Sequence, residues 1–194
     1  MGALANVEVW RPLLIGVLIF LLVFGGFRGR ACVISLAVCL LITEPVTKFL
    51  KTAIDRHRPK QVQTVRLVEL RHTRPAFMTL FHRPTSRYSD AADRTRSGPS
   101  FPSGHVTNNT VIALCFTLFY RRGWLYWIVT AAIGYGRIYL GAHWPSDVIA
   151  TFFLATGETL LILAGVEWLW RRGAAKWAPA VYLRHGSLIF PQVE

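Results

Sequence analysis

Apolar residues gather along this chain in long runs, and the polar residues fall into short clusters and one long insert. Five runs come near the roughly 20 residues a helix needs to cross a bilayer. The first extends from about Trp10 to Phe27 and closes on Arg28-Gly-Arg30. The second, from about Ala31 to Leu50, is apolar until Thr43, Glu44 and Pro45. The third follows a Pro-Ser-Gly-His turn at 102–105 and reaches Tyr120, ahead of Arg121-Arg122. The fourth runs from Trp124 to about Leu140, and the fifth from about Asp147 to Trp170, ahead of Arg171-Arg172. The pattern predicts an all-α fold, a polytopic transmembrane helical bundle of about five spans, forming a single integral membrane domain over residues 1–194.

Residues 51–98 break this pattern. They hold eleven Lys/Arg against four Asp/Glu, with prolines at 59, 75 and 84. The expectation is an irregular basic insert between spans two and three. Its middle, "AFMTLFHR", could form a short interfacial helix with Phe77, Met78, Leu80 and Phe81 in lipid, or equally a polar loop. The tail, 173–194, is short and mixed, with Trp177 and Tyr182 suited to a membrane interface.

Five spans alternate sides of a membrane. The ends of spans two and four and the starts of three and five therefore share one face, and the insert lies over it. The three short arginine pairs fall on the other face, which the positive-inside rule places in the cytoplasm. The charge of the insert pulls the other way, although long polar segments cross largely regardless of charge.

Composition narrows the partners. A hydrophobic content of 53%, a mean hydropathy of +0.37 and seven tryptophans argue against an ordinary soluble protein. The net charge of +12 suits anionic lipid headgroups, because basic residues flank the apolar runs and no groove-reading or base-stacking motif accompanies them. Nucleic acid is not expected. Cys32, Cys39 and Cys115 lie inside apolar runs without metal-ligand spacing and read as small core or lipid-facing residues. The first run lacks a small-residue cleavage site and reads as a retained span.

The shared face collects the chemistry. "KTAIDRHRP" brings Lys51 and Arg58, the turn before span three brings Ser103, Gly104 and His105, and "GRIYLGAHWPSD" brings Arg137, His143 and Asp147. A phosphate monoester is a dianion that must be neutralised before a nucleophile approaches. Arg58 and Arg137 can each hold two oxygens through a planar fork, and Lys51 adds a point charge. Ser103 and the N–H groups of Gly104 and His105 would complete a cradle at a helix start, where glycine permits close approach. With that much positive charge no metal ion or other cofactor is expected. Asp147, four residues after His143, is expected one helical turn away, where its carboxylate can accept a ring N–H and leave the other nitrogen to attack. His105 has no such local partner and suits a general acid.

The order Lys-x6-Arg-Pro, Pro-Ser-Gly-His, Arg-x5-His-x3-Asp resembles the three-part signature of the type 2 phosphatidic acid phosphatase superfamily, across residues 51 to 147. The resemblance implies a helical bundle, a phosphohistidine at His143 and acid–base work at His105. It implies a membrane phosphatase acting on phosphatidic acid, phosphatidylglycerol phosphate, a polyprenyl diphosphate or a lipid A phosphate. The implied location is the bacterial inner membrane, with the site facing the periplasm or outside. Two departures stand out: Gly136 occupies the position where the family usually has serine, and five spans are counted where many members resemble six-span bundles. Three rival readings remain: a phosphotransferase of the same chemistry, a vanadate-dependent haloperoxidase, and a silent membrane scaffold. Singly, each motif residue has a plainer role, as an interface histidine, a helix cap or a lipid anchor. His57, His72, His82 and His185 read that way, as does Asn108-Asn109-Thr110. Glu44 is expected near the active face, Glu167 near a helix end, and mid-span Glu158 against another helix.

Overall fold

Each of the five apolar runs forms a helix in the computed structural model, which describes residues 7–69, 85–95 and 98–189. The long helices are α1 (Val7–Phe24), α2 (Gly26–Ile54), α5 (Gly104–Phe119), α6 (Tyr126–Tyr139) and α7 (Pro145–Trp177). Between α2 and α5 stand a short helix α3 (Pro59–Val62), strands β1 (Arg66–Glu69) and β2 (Thr85–Tyr88), and a short helix α4 (Ala91–Thr95). A 3-10 turn, Gly123–Leu125, precedes α6, and α8 (Pro179–Arg184) follows α7. The chain is mostly helical (77%).

The helices differ from the expected spans at their ends. Helix α2 begins at Gly26, taking Arg28 and Arg30 into its first turns, and passes through Pro45 to Ile54. Proline removes one rung of the hydrogen-bond ladder, and packing of α2 against α5 and α7 sustains the helix there. Helix α7 carries Arg171 and Arg172 inside it and stops at Trp177. By length and composition two stretches can cross a membrane, Gly26–Val62 and Pro145–Trp177, with Pro12–Phe24 a shorter apolar piece. At about 1.5 Å per residue, α5 and α6 extend only about 24 and 21 Å. Against an expectation of about five spans, two among the described residues meet the criterion of length and composition.

Helix α5 is the centre of the bundle and packs on α2, α6 and α7, while α1 lies on α2. The core joins Cys32, Leu36 and Cys39 of α2 with Val111, Ile112, Cys115 and Phe119 of α5 and Leu163 of α7. Small hydroxyl residues share the interior, among them Thr43, Thr107, Thr110, Thr151 and Thr159. Such side chains let helices approach closely where no hydrophobic force separates lipid from protein. Large apolar side chains point outward instead: Phe20 and Phe24 on α1, Leu41 and Phe49 on α2, Ile128 on α6, Phe153 and Leu161 on α7.

The insert is more regular than expected. Strands β1 and β2 pair antiparallel, Arg66 opposite Tyr88 and Glu69 opposite Thr85. Arg87 holds Asp93 through two bonds of 2.6 and 3.0 Å, tying β2 to α4. These bonds from Arg87, and after them one from the Asp90 N–H, keep the Asp93 carboxyl well below the usual carboxylate range. The expected interfacial segment at 76–83 lies outside the described residues. The described part of the tail also packs back on α7. Buried Glu167 accepts from Arg171 Nε (2.6 Å) and from the backbone N–H groups of Leu188 and Ile189, and His185 stacks on Phe27 at 3.9 Å. Glu44, by contrast, makes an exposed ion pair with Lys48, and Glu158 is half-buried on α7.

Candidate active site at one end of the bundle

Four helix ends meet where the motifs converge: the last turns of α2 and α6 and the first turns of α5 and α7. Lys51 lies in the last turn of α2 and Arg137 in the last turn of α6. Beyond α2 the chain turns at Asp55, whose φ of 42° is left-handed, and reaches Arg58 just before Pro59 opens α3. Arg58 donates Nε to the Gly98 carbonyl at 2.8 Å and Nη2 to that of Pro99 at 3.4 Å. A guanidinium carries five donors, so further donors remain for an anion. Lys51, Arg58 and Arg137 act electrostatically on one another and on both imidazoles, His105 and His143.

Ser103 caps α5, after a cis Phe101–Pro102 bond. Its backbone N–H donates to Thr151 Oγ1 of α7 at 3.0 Å, which fixes the start of α5 against α7. Its hydroxyl makes no capping bond and is buried without a partner. The N–H groups of the first helical turn, including those of Gly104 and His105, have no acceptor within the helix. Together with the dipole they favour an anion at this end.

The turn from α6 to α7 delivers His143. Ala142 N–H bonds the Arg137 carbonyl at 3.1 Å and Gly141 N–H bonds that of Ile138 at 2.9 Å. This is a Schellman termination with Gly141 at φ +63°, a conformation that favours glycine. A Cβ on Gly141 would sit 3.2 Å from Leu67 Cδ2 and 3.4 Å from Val65 Cγ2. The insert therefore packs directly on the turn that carries His143.

His143 is 3% exposed. Burial, then the charges of Arg58, Arg137 and Lys51, push its imidazole down from 6.5 to about 3. The Ser100 carbonyl acts the other way and is outweighed. Nδ1 of His143 is buried with no hydrogen-bond partner, and so is Nε of Arg137. Unpartnered buried polar atoms are costly, and here three of them, His143 Nδ1, Arg137 Nε and Ser103 Oγ, belong to the second and third motifs.

Asp147 departs from expectation. Helix α7 starts at Pro145, with Trp144 as its cap, so His143 precedes the helix and the pair does not share a helical turn. Asp147 Oδ2 instead accepts the Trp144 N–H at 3.1 Å and a short bond from Ser100 Oγ, while Oδ1 accepts Arg56 Nη1 at 2.5 Å. The carboxylate is fully buried. Arg56, Ser100 and Thr151 were not singled out from sequence. Arg56 was visible as a charge within the first motif, whereas Ser100 and Thr151 give no sequence signal. Among the described residues no group of three or more His, Cys, Asp or Glu could hold a metal ion.

Fold and site together define a helical protein with three cationic side chains and two imidazoles at one end of its bundle. The PAP2 superfamily model matches residues 32–171, and the chain belongs to that superfamily. It is similar to a lipid A 4'-phosphatase of Bacteroides thetaiotaomicron, 25% identical over 162 residues, covering 77% of this chain and 61% of the relative. A non-specific acid phosphatase of Salmonella typhi is 34% identical over 44% of this chain and 34% of its own length. A putative undecaprenyl-diphosphatase of Escherichia coli is 40% identical over 26% of each chain. The chain thus spans less than two thirds of each of these relatives. No solved structure matches it.

Proposed function

We propose that this protein is a membrane phosphatase that hydrolyses a phosphate monoester or diphosphate of a lipid without a metal ion. The observation that carries the reading is the meeting of Lys51, Arg58, Arg137, His105 and His143 at one bundle end, with buried motif atoms left unpartnered. Lys51, Arg58, Arg137, Ser103 and the Gly104 N–H hold the phosphoryl oxygens. Neutral His143 attacks phosphorus, a nitrogen–phosphorus bond forms, and the bond to the leaving oxygen breaks as His105, held in its imidazolium form while the phosphoryl dianion offsets the neighbouring cations, supplies its proton. Water then attacks the phosphohistidine, giving its proton back to His105, and inorganic phosphate departs as the nitrogen–phosphorus bond breaks. Asp147 supports this by holding the His143–Trp144 turn.

Two named relatives, a lipid A 4'-phosphatase and a putative undecaprenyl-diphosphatase, support a lipid substrate. So do the outward apolar side chains of α1, α2, α6 and α7, which give lipid tails a surface beside the cradle. Lipid A phosphates, polyprenyl diphosphates, phosphatidic acid and phosphatidylglycerol phosphate all present the required anion. In this reading α1, α2, α5, α6 and α7 form one membrane domain, with α5 and α6 shortened around the site. The arginine-rich end faces the cytoplasm of a bacterial inner membrane, and the insert covers the opposite, active face. Phosphate release from a panel of these lipids by purified protein in detergent tests the reading. His143→Ala should abolish release while leaving the melting temperature in place, and labelled phosphate should be trapped on His143 of the native protein. Substantial turnover by the variant would show that another group attacks.

A further inference from the structure

We infer that Arg56 is a positioning residue for the active site, acting through Asp147, with Ser100 as its counterpart; this rests on the phosphatase reading above. Arg56 lies outside the set of groups assigned to the phosphate. Its guanidinium pairs with Asp147 Oδ1 at 2.5 Å and stands over the Trp144 ring at 6.0 Å. Its carbonyl accepts the Ser100 N–H at 2.6 Å, and Ser100 Oγ bonds the other oxygen of the same carboxylate. The neighbouring His57 carbonyl accepts Trp144 Nε1 at 2.9 Å. The exit of α2, the approach to α5 and the start of α7 are thus pinned to one fully buried carboxylate.

A buried carboxylate needs a paired cation. Arg56 is the side-chain cation bonded to it. The residue held most directly is Trp144, which follows His143 in the chain and caps α7. The His143 ring is bonded to the Ser100 carbonyl and has no partner at Nδ1. Its placement therefore depends on that carbonyl and on the backbone turn, and both depend on the Arg56–Asp147–Ser100 clasp. Loss of Arg56 should misplace the nucleophile without removing a contact to the phosphate.

The test compares Arg56→Ala, Arg56→Lys and Ser100→Ala with the native protein, using a soluble phosphate monoester in detergent. Displacing a reacting group by about 1 Å can cost on the order of 100-fold, so Arg56→Ala should lower kcat by about that factor. KM should move by less than about threefold, since a lost charge-assisted contact to phosphate would change it by about tenfold or more. Arg56→Lys should recover most of kcat, and added methylguanidinium should raise the rate of the alanine variant. Ser100→Ala should show the same kcat loss at constant KM, and it carries the test if Arg56→Ala does not fold. Native kcat in both alanine variants would overturn the inference. So would a raised KM with intact kcat, which would make Arg56 a phosphate ligand. If the native protein releases no phosphate from any ester or lipid tried, the proposed function falls instead.

Discussion

Acid should destabilise this protein through His143 in a way that can be isolated. The imidazole is neutral in the fold down to about pH 3, while an unfolded chain takes up the proton near 6.5. Above pH 6.5 both states are neutral and the group contributes nothing. As pH falls below 6.5 the unfolded state binds a proton that the folded state refuses, so stability drops with each step until about pH 3. At about 1.4 kcal/mol per pH step, the loss reaches about 2 kcal/mol by pH 5. For a chain of this size that corresponds to about 4 to 8 °C in melting temperature. The assay is thermal unfolding in detergent at pH 7.5 and pH 5, comparing the native protein with His143→Asn, a neutral polar replacement. The variant should lose that much less on acidification, since every other titrating group is common to both. Arg58→Gln should shrink the native protein's acid loss, because Arg58 is the strongest of the charges opposing the proton. Equal acid losses in the native protein and His143→Asn would refute the reasoning.

Phosphate release should survive EDTA, because Lys51, Arg58 and Arg137 supply the charge, and vanadate should inhibit by occupying the same cradle; a strict Mg²⁺ requirement with a soluble substrate would contradict this. Gly141→Ala should cost about 1 to 2 kcal/mol for the left-handed backbone, and it should lower kcat as the turn shifts against Leu67 and Val65. Neutralising Arg66, Arg71, Arg74 and Arg87 together should weaken capture of polyanionic lipids more than of a soluble ester, with the difference fading as salt shortens the screening length to about 3 Å at 1 M. Because Arg87 holds Asp93, a triple variant sparing it should show the same selectivity with a firmer hairpin. An equal loss on both substrates would mean the arginines only hold the insert in place.

Much of the architecture was legible because its signals are local or repetitive. Apolar runs placed all five long helices. The motif residues converge because alternate helix ends share a face, which follows from topology alone. What was not legible depends on contacts distant in sequence. The spacing of His143 and Asp147 suggested a pair, but spacing implies contact only when both residues are helical, and the Schellman turn at Gly141 keeps His143 outside α7. Arg56 and Ser100 reach Asp147 across 91 and 47 residues, a relation no local pattern encodes. The β1–β2 ribbon was missed because its strands are only four residues each and are interrupted by charge, Arg66 and Glu69 in one and Arg87 in the other.

Because Arg56 and Ser100 meet on one carboxylate, the chain between them leaves the bundle and returns to the same point. A segment closed in this way is an exchangeable cassette. Once its ends are fixed, doubling its length costs only about 0.6 kcal/mol in closure entropy. Surface segments also tolerate insertion far better than helices do. The helical frame and its cradle can therefore stay constant while the cassette is lengthened, shortened or replaced. Diversification toward different headgroups would then proceed by swapping what lies between 60 and 97, with Arg58 and the other phosphate-holding residues untouched.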